Sequence, residues 1–352
     1  GRDCRTVMGH AAVFLYGGKF LRNFPPYKKP FGQDAHFAQR NMAADAAALR
    51  RILFGMTGME VVMKVVDMHC DTIAALAQRG REGWSLAKNG LHVSLEEMEK
   101  GDYLLQNFAL FVAVEEGRDP WEQVLSLADC FERQMELCGD RIAPVRTFSD
   151  IRRAEKAGKM CALLTVEEGA VCRGSLENLE RLFDRGVRMM TLTWNYPNEL
   201  GFPNVTMPAE GGEPDFFCPQ TQKGLTETGI EFVQNMQRMG MIVDVSHLSD
   251  AGFYDVLSCT DRPFVASHSN ARAVCRNVRN LTDDMIRRLA ERGGVTGLNF
   301  CPSFLEEGME ERGEDVLGAV VRHARHIVNA GGIECLGLGS DFDGIPTPKG
   351  LE

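Results

Sequence analysis

The run Asp67-Met68-His69-Cys70-Asp71 closes an apolar stretch, and in an extended strand side chains two apart share one side. His69 and Asp71 then project together, an imidazole and a carboxylate that form half a site for a divalent cation of the zinc type. Other apolar runs end on the same chemistry: Glu167 after Leu163-Leu164-Thr165-Val166, His247 after Ile242-Val243-Asp244-Val245-Ser246, His268 after Phe264-Val265-Ala266-Ser267, and Asp341 after Leu336-Gly337-Leu338-Gly339-Ser340. One such histidine is ordinarily a satisfied core residue; three beside carboxylates at equivalent positions point to a metal site. The other histidines need no such account: His323 and His326 stand three apart in a helical pattern that reads as a solvated face, and His10, His36 and His92 fall in a leader or a loop.

Residues this far apart meet only if their strands end on one rim. From residue 61 onward, candidate strands at 61–69, 107–114, 161–167, 188–194, 240–247, 263–269, 293–300 and 335–342 alternate with helical patterns such as 121–137, 176–184, 229–239, 282–291 and 314–329. That alternation calls for a parallel sheet. Its eight repeats predict a closed (β/α)8 TIM barrel, an α/β fold with all strand C-termini on one face. A doubly wound open sheet is the structural alternative, but it ordinarily carries a Gly-rich phosphate turn, and no G-x-G-x-x-G or Walker pattern occurs. The segment 195–223, rich in Pro, Gly and Asn, follows the fourth strand and is expected to hang over the active face.

Composition excludes several classes. With 44% apolar and 25% charged residues, the 352-residue chain can bury a sizeable core. A net charge of −10, from 39 Lys and Arg against 49 Asp and Glu, argues against a nucleic-acid partner. Eleven scattered cysteines with no C-x-x-C argue against a disulfide framework and favour a reducing cytoplasm. No run approaches the length of a membrane helix, and the first 30 residues carry charges and prolines, so neither a membrane partner nor a secretory signal is expected.

The ends are irregular. Only ten residues follow the eighth strand, so 61–352 reads as a catalytic barrel lacking its closing C-terminal segment. Residues 1–60 read as a partly helical N-terminal extension, in which 39–54 carries a helical apolar pattern. Two expectations compete: this helix covers the barrel seam in the manner of a circular permutation, or the extension is a loose leader on a truncated chain.

The motifs Val66-Asp67-Met68-His69-Cys70-Asp71-Thr72, Thr165-Val166-Glu167-Glu168-Gly169, Asp244-Val245-Ser246-His247-Leu248-Ser249, Ser267-His268-Ser269-Asn270-Ala271, Arg279-Asn280-Leu281 and Gly339-Ser340-Asp341-Phe342-Asp343-Gly344 resemble the membrane (renal-type) dipeptidases, dinuclear zinc peptidases of the amidohydrolase superfamily. The resemblance covers about residues 61–352. It implies a (β/α)8 TIM barrel of the metal-dependent hydrolase type, with His69 and Asp71 on one zinc, His247 and His268 on the other, and Glu167 bridging both, with Glu168 the competing bridge. Arg279 resembles the arginine that receives the substrate's C-terminal carboxylate, with Arg276 its rival, and Asp341 the carboxylate that handles the proton. Two Zn2+ or other divalent ions would then hydrolyse a dipeptide through a dizinc-bound hydroxide, with tolerance of a D-residue at the carboxyl-terminal position. The sequence reads Leu192-Thr193-Trp194-Asn195 where some family members place a substrate-contacting histidine, so Trp194 or Asn195 is the expected substitute. Residues 17–24 are similar to the family's closing segment, a second motive for the permutation. The alternatives are an N-acyl amino acid deacylase or lactonase of the same superfamily, and a catalytically silent metal-binding homologue. The expected partner is a small dipeptide, with a homodimer as the candidate assembly.

Overall fold

The computed structural model describes residues 64–80, 83–115, 117–206 and 214–351. Its strands are β1 (Val65–Cys70), β2 (Tyr103–Phe111), β3 (Ile142–Val145), β4 (Met160–Glu167), β5 (Met189–Thr191), β6 (Ile242–Asp244), β7 (Val265–Ala266), β8 (Val295–Leu298) and β9 (Leu336–Leu338). All pair in parallel in the order β2-β1-β9-β8-β7-β6-β5-β4, and β2 returns to β4 from Leu105↔Cys161 to Phe111↔Glu167, which closes the expected barrel. Strand β3 was not expected. It lies along the first half of β4, Ile142↔Met160 to Val145↔Leu163, on the edge that β5 takes over at Thr165. Pro144 breaks its β pattern and is tolerated because a strand with one unpaired edge can spare an N–H.

The intervening helices begin where a short polar side chain can cap them. Asp119 accepts from the Trp121 N–H ahead of Pro120–Leu137, and Ser175, Thr226 and Thr282 cap Leu176–Arg185, Glu227–Met239 and Asp283–Glu291. Their apolar faces cover the barrel and bury Phe108, Phe232, Phe253 and Phe264, burial that stabilises by roughly 3 kcal/mol per ring. His323, on the helix Leu317–Gly331, corrects the expected solvated face: it is buried, its Nδ1 accepting from Ala271 N–H at 3.1 Å and its Nε2 donating to the Leu305 carbonyl at 2.9 Å. The short helix Pro302–Leu305 lies over that face, which no sequence period shows. His326 reaches Asp283 at 2.7 Å.

Inside the barrel, Met189, Ile242 and Val265 form an apolar plug near the strand N-termini. Two residues on, Thr191, Asp244 and Ser267 replace it with a buried polar layer, the floor of the mouth. The helix expected at 39–54, the 17–24 segment and the rest of the N-terminal extension lie outside the described residues. No disulfide forms among the described cysteines, and no described helix is long and apolar enough to cross a membrane.

Candidate metal centre

Strand β1 delivers His69, with Asp71 one step beyond it, and β4 ends on Glu167; His247, His268 and Asp341 follow β6, β7 and β9 within three residues. All six meet at the C-terminal mouth. The Glu167 carboxylate divides between two sets of partners: Oε2 lies 3.3 Å from His69 Nε2, whereas Oε1 lies 3.1 Å from His247 Nε2 and 3.6 Å from His268 Nε2. On the first side, His69 Nε2 is 3.5 Å from Asp71 Oδ2 and 3.9 Å from Asp341 Oδ1. On the second, the two imidazole Nε2 atoms stand 3.0 Å apart.

Protons cannot satisfy this arrangement. His247 Nδ1 is 2.8 Å from Asn195 Oδ1, an acceptor, so Nδ1 carries the hydrogen and Nε2 keeps its lone pair. His268 Nδ1 is 2.7 Å from Ser267 Oγ, whose own hydrogen goes to Asp244 Oδ2 at 2.5 Å, which leaves His268 Nε2 in the same state. Two lone pairs and a carboxylate oxygen thus face one another in a buried mouth, a donor set that calls for a cation. Burial, reinforced by Arg279, pushes both imidazoles well below their ordinary pKa, so they remain neutral ligands. For His69, burial also disfavours charge, but Glu167 and Asp71 outweigh it and raise its pKa: the carboxylates draw positive charge to the first side as well. Burial pushes the Glu167 carboxyl up to about 7 and raises Asp341.

Glu168 has a different task. Its Oε1 accepts from Ala170 N–H at 2.8 Å and Asn198 Nδ2 at 2.5 Å, and its Oε2 from Trp194 N–H at 3.0 Å, so the carboxylate is spent on tying the turn after β4 to the loop after β5. The Trp194 ring packs against Phe111 and Tyr196 and lies 6.2 Å from the His247 ring, while the Asn195 oxygen is engaged by His247. Of the segment 195–223, residues 195–206 lie against the mouth: Asn204 N–H donates to the His247 carbonyl at 2.8 Å, and Leu200, Asn204 and Val205 are buried.

Arg279 is 3% exposed, yet beyond packing over the Phe304 ring at 5.4 Å its guanidinium has weak hydrogen bonds of 3.4 Å to Ser269 Oγ and the His268 carbonyl, and its Nε has no hydrogen-bond partner. A buried, under-used guanidinium fork beside a metal mouth is suited to a substrate carboxylate. Arg276 is exposed, and Arg272 is committed to Asp250 through two bonds of 2.7 and 2.8 Å.

Two buried aspartates escaped the sequence reading. Asp244 collects Ser246 N–H, Ser267 N–H, Ser267 Oγ and Thr191 Oγ1 between 2.5 and 3.0 Å. Asp67 collects His69 N–H at 3.2 Å, Ser340 N–H at 2.9 Å and Ser340 Oγ at 2.6 Å. Each ties a strand to the neighbour whose serine immediately precedes His268 or Asp341. The signal was a carboxylate inside an apolar strand, which is rarely buried without such work. Asn299 Nδ2 donates to Asp341 Oδ2 at 2.9 Å. Gly344 lets the chain pass the acids, since a Cβ there would lie 2.2 Å from Asp71 Oδ2 and 2.7 Å from Asp341 Oδ1.

The profile of the family described as membrane dipeptidase (peptidase family M19) matches residues 57–352. An uncharacterized dipeptidase of Schizosaccharomyces pombe is 33% identical over 311 residues, 82% of this chain and 71% of the relative. A metallopeptidase of Rhodobacter sphaeroides, solved with a phosphinate mimic of the dipeptide L-Ala-D-Ala, superposes with a TM-score of 0.72 at 28% identity over 82% of this chain and 89% of its own. A solved M19 dipeptidase gives a TM-score of 0.71 at 30% identity over 82% of this chain and 87% of its own. Profile, relatives and solved folds agree with the ligand-lined mouth of the barrel: this chain belongs to the membrane dipeptidase family, the M19 metallopeptidases.

Proposed function

We propose that this metal-dependent dipeptidase works with two divalent cations, zinc by its imidazole and carboxylate donors, and accepts dipeptides with either an L- or a D-residue at the carboxyl terminus. The observation that carries the reading is the division of Glu167, whose two oxygens face two separate ligand sets. His69 and Asp71 would hold one cation, His247 and His268 the other, and Glu167 both. When bound, the cations supply an acidified water at neutral pH and polarise the scissile carbonyl.

The chain's own groups do the rest. Asn195 and Ser267 fix the imidazole tautomers and so keep both Nε2 atoms as ligands. Asn299 pins Asp341 through Oδ2 and leaves Oδ1 toward the mouth, where it takes a proton from the attacking water and returns it to the leaving amine. Arg279 binds the substrate's terminal carboxylate, which limits the substrate to one residue beyond the scissile bond. The phosphinate mimic on the Rhodobacter sphaeroides relative supports the D-tolerance.

The test is elemental analysis of purified protein beside a panel of L-Ala-L-Ala, L-Ala-D-Ala, an N-acyl amino acid and a lactone. Two zinc equivalents with hydrolysis of both dipeptides are expected. One equivalent would remove the dinuclear reading; preference for the acyl amino acid or lactone would move the substrate elsewhere in the superfamily.

A further inference from the structure

At the opposite end of the barrel, a partly open cavity of about 200 Å³ lies beside the N-terminal ends of β5 and β6. Its walls include Arg146, Arg188, Arg238 and Arg262, and its floor includes Leu163 and Ile242. Nothing in the peptidase chemistry uses this end. We propose that it is a binding site for a small organic anion, a compound carrying a phosphate or paired carboxylates on a compact apolar body.

The first support is unspent charge. Arg141, Arg153, Arg185, Arg272, Arg312 and Arg322 each pair with a carboxylate, but among the described residues none of the four cavity arginines makes an ion pair. In a chain of net charge −10, four unpaired guanidinia on one cavity stand out from the general balance. The acids nearby do not cancel them: Asp150 is held by the Arg146 and Thr147 N–H groups and by Arg153, and Asp184 is exposed. Burial and the adjacent Arg146 charge both lower the Arg188 pKa.

The second support is an unmet donor. Gln237 also lines the cavity, and its Nε2 is buried without an acceptor. Bonds within the chain, and the stacking of Arg188 on the Phe183 ring at 3.8 Å, account for only part of the guanidinium capacity. Arg188 Nη1 donates to the Phe183 and Val187 carbonyls, Arg146 Nη2 reaches the Arg185 carbonyl at 3.4 Å, and Arg238 Nη2 bonds Asn235. With five N–H donors on each guanidinium, most remain for a ligand rich in acceptors. The apolar floor suits a carbon body better than bare phosphate.

The experiment titrates the metal-loaded protein calorimetrically with phenyl phosphate, inorganic phosphate and glutarate at about 0.15 M salt, where loose surface attraction is screened. Phenyl phosphate or glutarate is expected to bind saturably with a Kd below about 1 mM, and whichever is tighter identifies the anion type. The double variant Arg146→Gln/Arg262→Gln should weaken that binding by at least about tenfold, the least expected if only one of the two guanidinia makes a charge-assisted hydrogen bond. Arg146→Lys/Arg262→Lys should recover part of it, and both variants should keep wild-type dipeptide turnover, which also reports that they fold. No saturable binding by either organic anion overturns the proposal. So does binding that survives the Gln variant unchanged, since the anion then sits outside this cavity.

Discussion

At the scale of single residues, adjacent glutamates separate two roles that chemistry alone would allow either to fill. Glu167 has no backbone donors and faces imidazoles; Glu168 is saturated by two N–H groups and an amide. Glu167→Gln is therefore expected to lose bound metal, read by elemental analysis. Glu168→Gln should keep the metal but lower stability by about 1–3 kcal/mol, because an amide nitrogen would confront a backbone donor; urea unfolding measures that loss. Asp341→Asn should retain both metals and lower kcat by on the order of 10²- to 10⁴-fold, the usual contribution of a positioned proton carrier. A variant that sheds metal would make Asp341 a ligand instead. For Arg279→Met, kcat/KM should fall by roughly ten- to a hundredfold on free dipeptides and hardly at all on dipeptide amides, which lack the carboxylate. Equal losses on both substrates would assign Arg279 to structure.

At the scale of elements, ligand geometry depends on strand-to-strand ties more than on the ligands' own strands. Strands β6 and β7 contribute only three and two residues of ladder, so their register at the mouth rests on Asp244 gripping Ser246 and Ser267. Asp244→Asn would swap an acceptor for a donor facing either the serine hydroxyl or the backbone. Metal affinity should fall by about ten- to a hundredfold, in the range of other outer-shell changes, as read by competition with a zinc chelator. The five ligand candidates and Asp341 were legible because strands of a parallel barrel end on one rim, so that a run such as 163–166 indicates where Glu167 must lie. The ties were not legible: Asp67 and Asp244 act through serines far away in sequence, and no local period reveals a partner. Strand β3 was hidden by Pro144, and the burial of His323 depends on a four-residue helix that only tertiary packing places.

At the scale of the molecule, His323 joins the loop after β7, the helix Pro302–Leu305 and its own helix, so its protonation reports on the packing of this side of the barrel. Burial lowers its pKa to about 4 against an ordinary value of 6.5. The neutral ring is what the fold requires, since Nδ1 must accept the Ala271 N–H. Between these two values the unfolded chain binds the extra proton and the folded chain does not, so stability rises with pH across the interval. The contribution is complete above about pH 6.5 and is lost as pH falls toward 4, a swing on the order of 3 kcal/mol. Burial and neighbouring charges also shift the histidines of the metal centre, so the informative quantity is the difference between wild type and His323→Gln. The variant forfeits packing at every pH but has no proton to gain. Its deficit in urea unfolding should therefore be largest near pH 7 and shrink steadily toward pH 4.5; a deficit that stays constant across that range would mean that His323 is protonated inside the folded barrel.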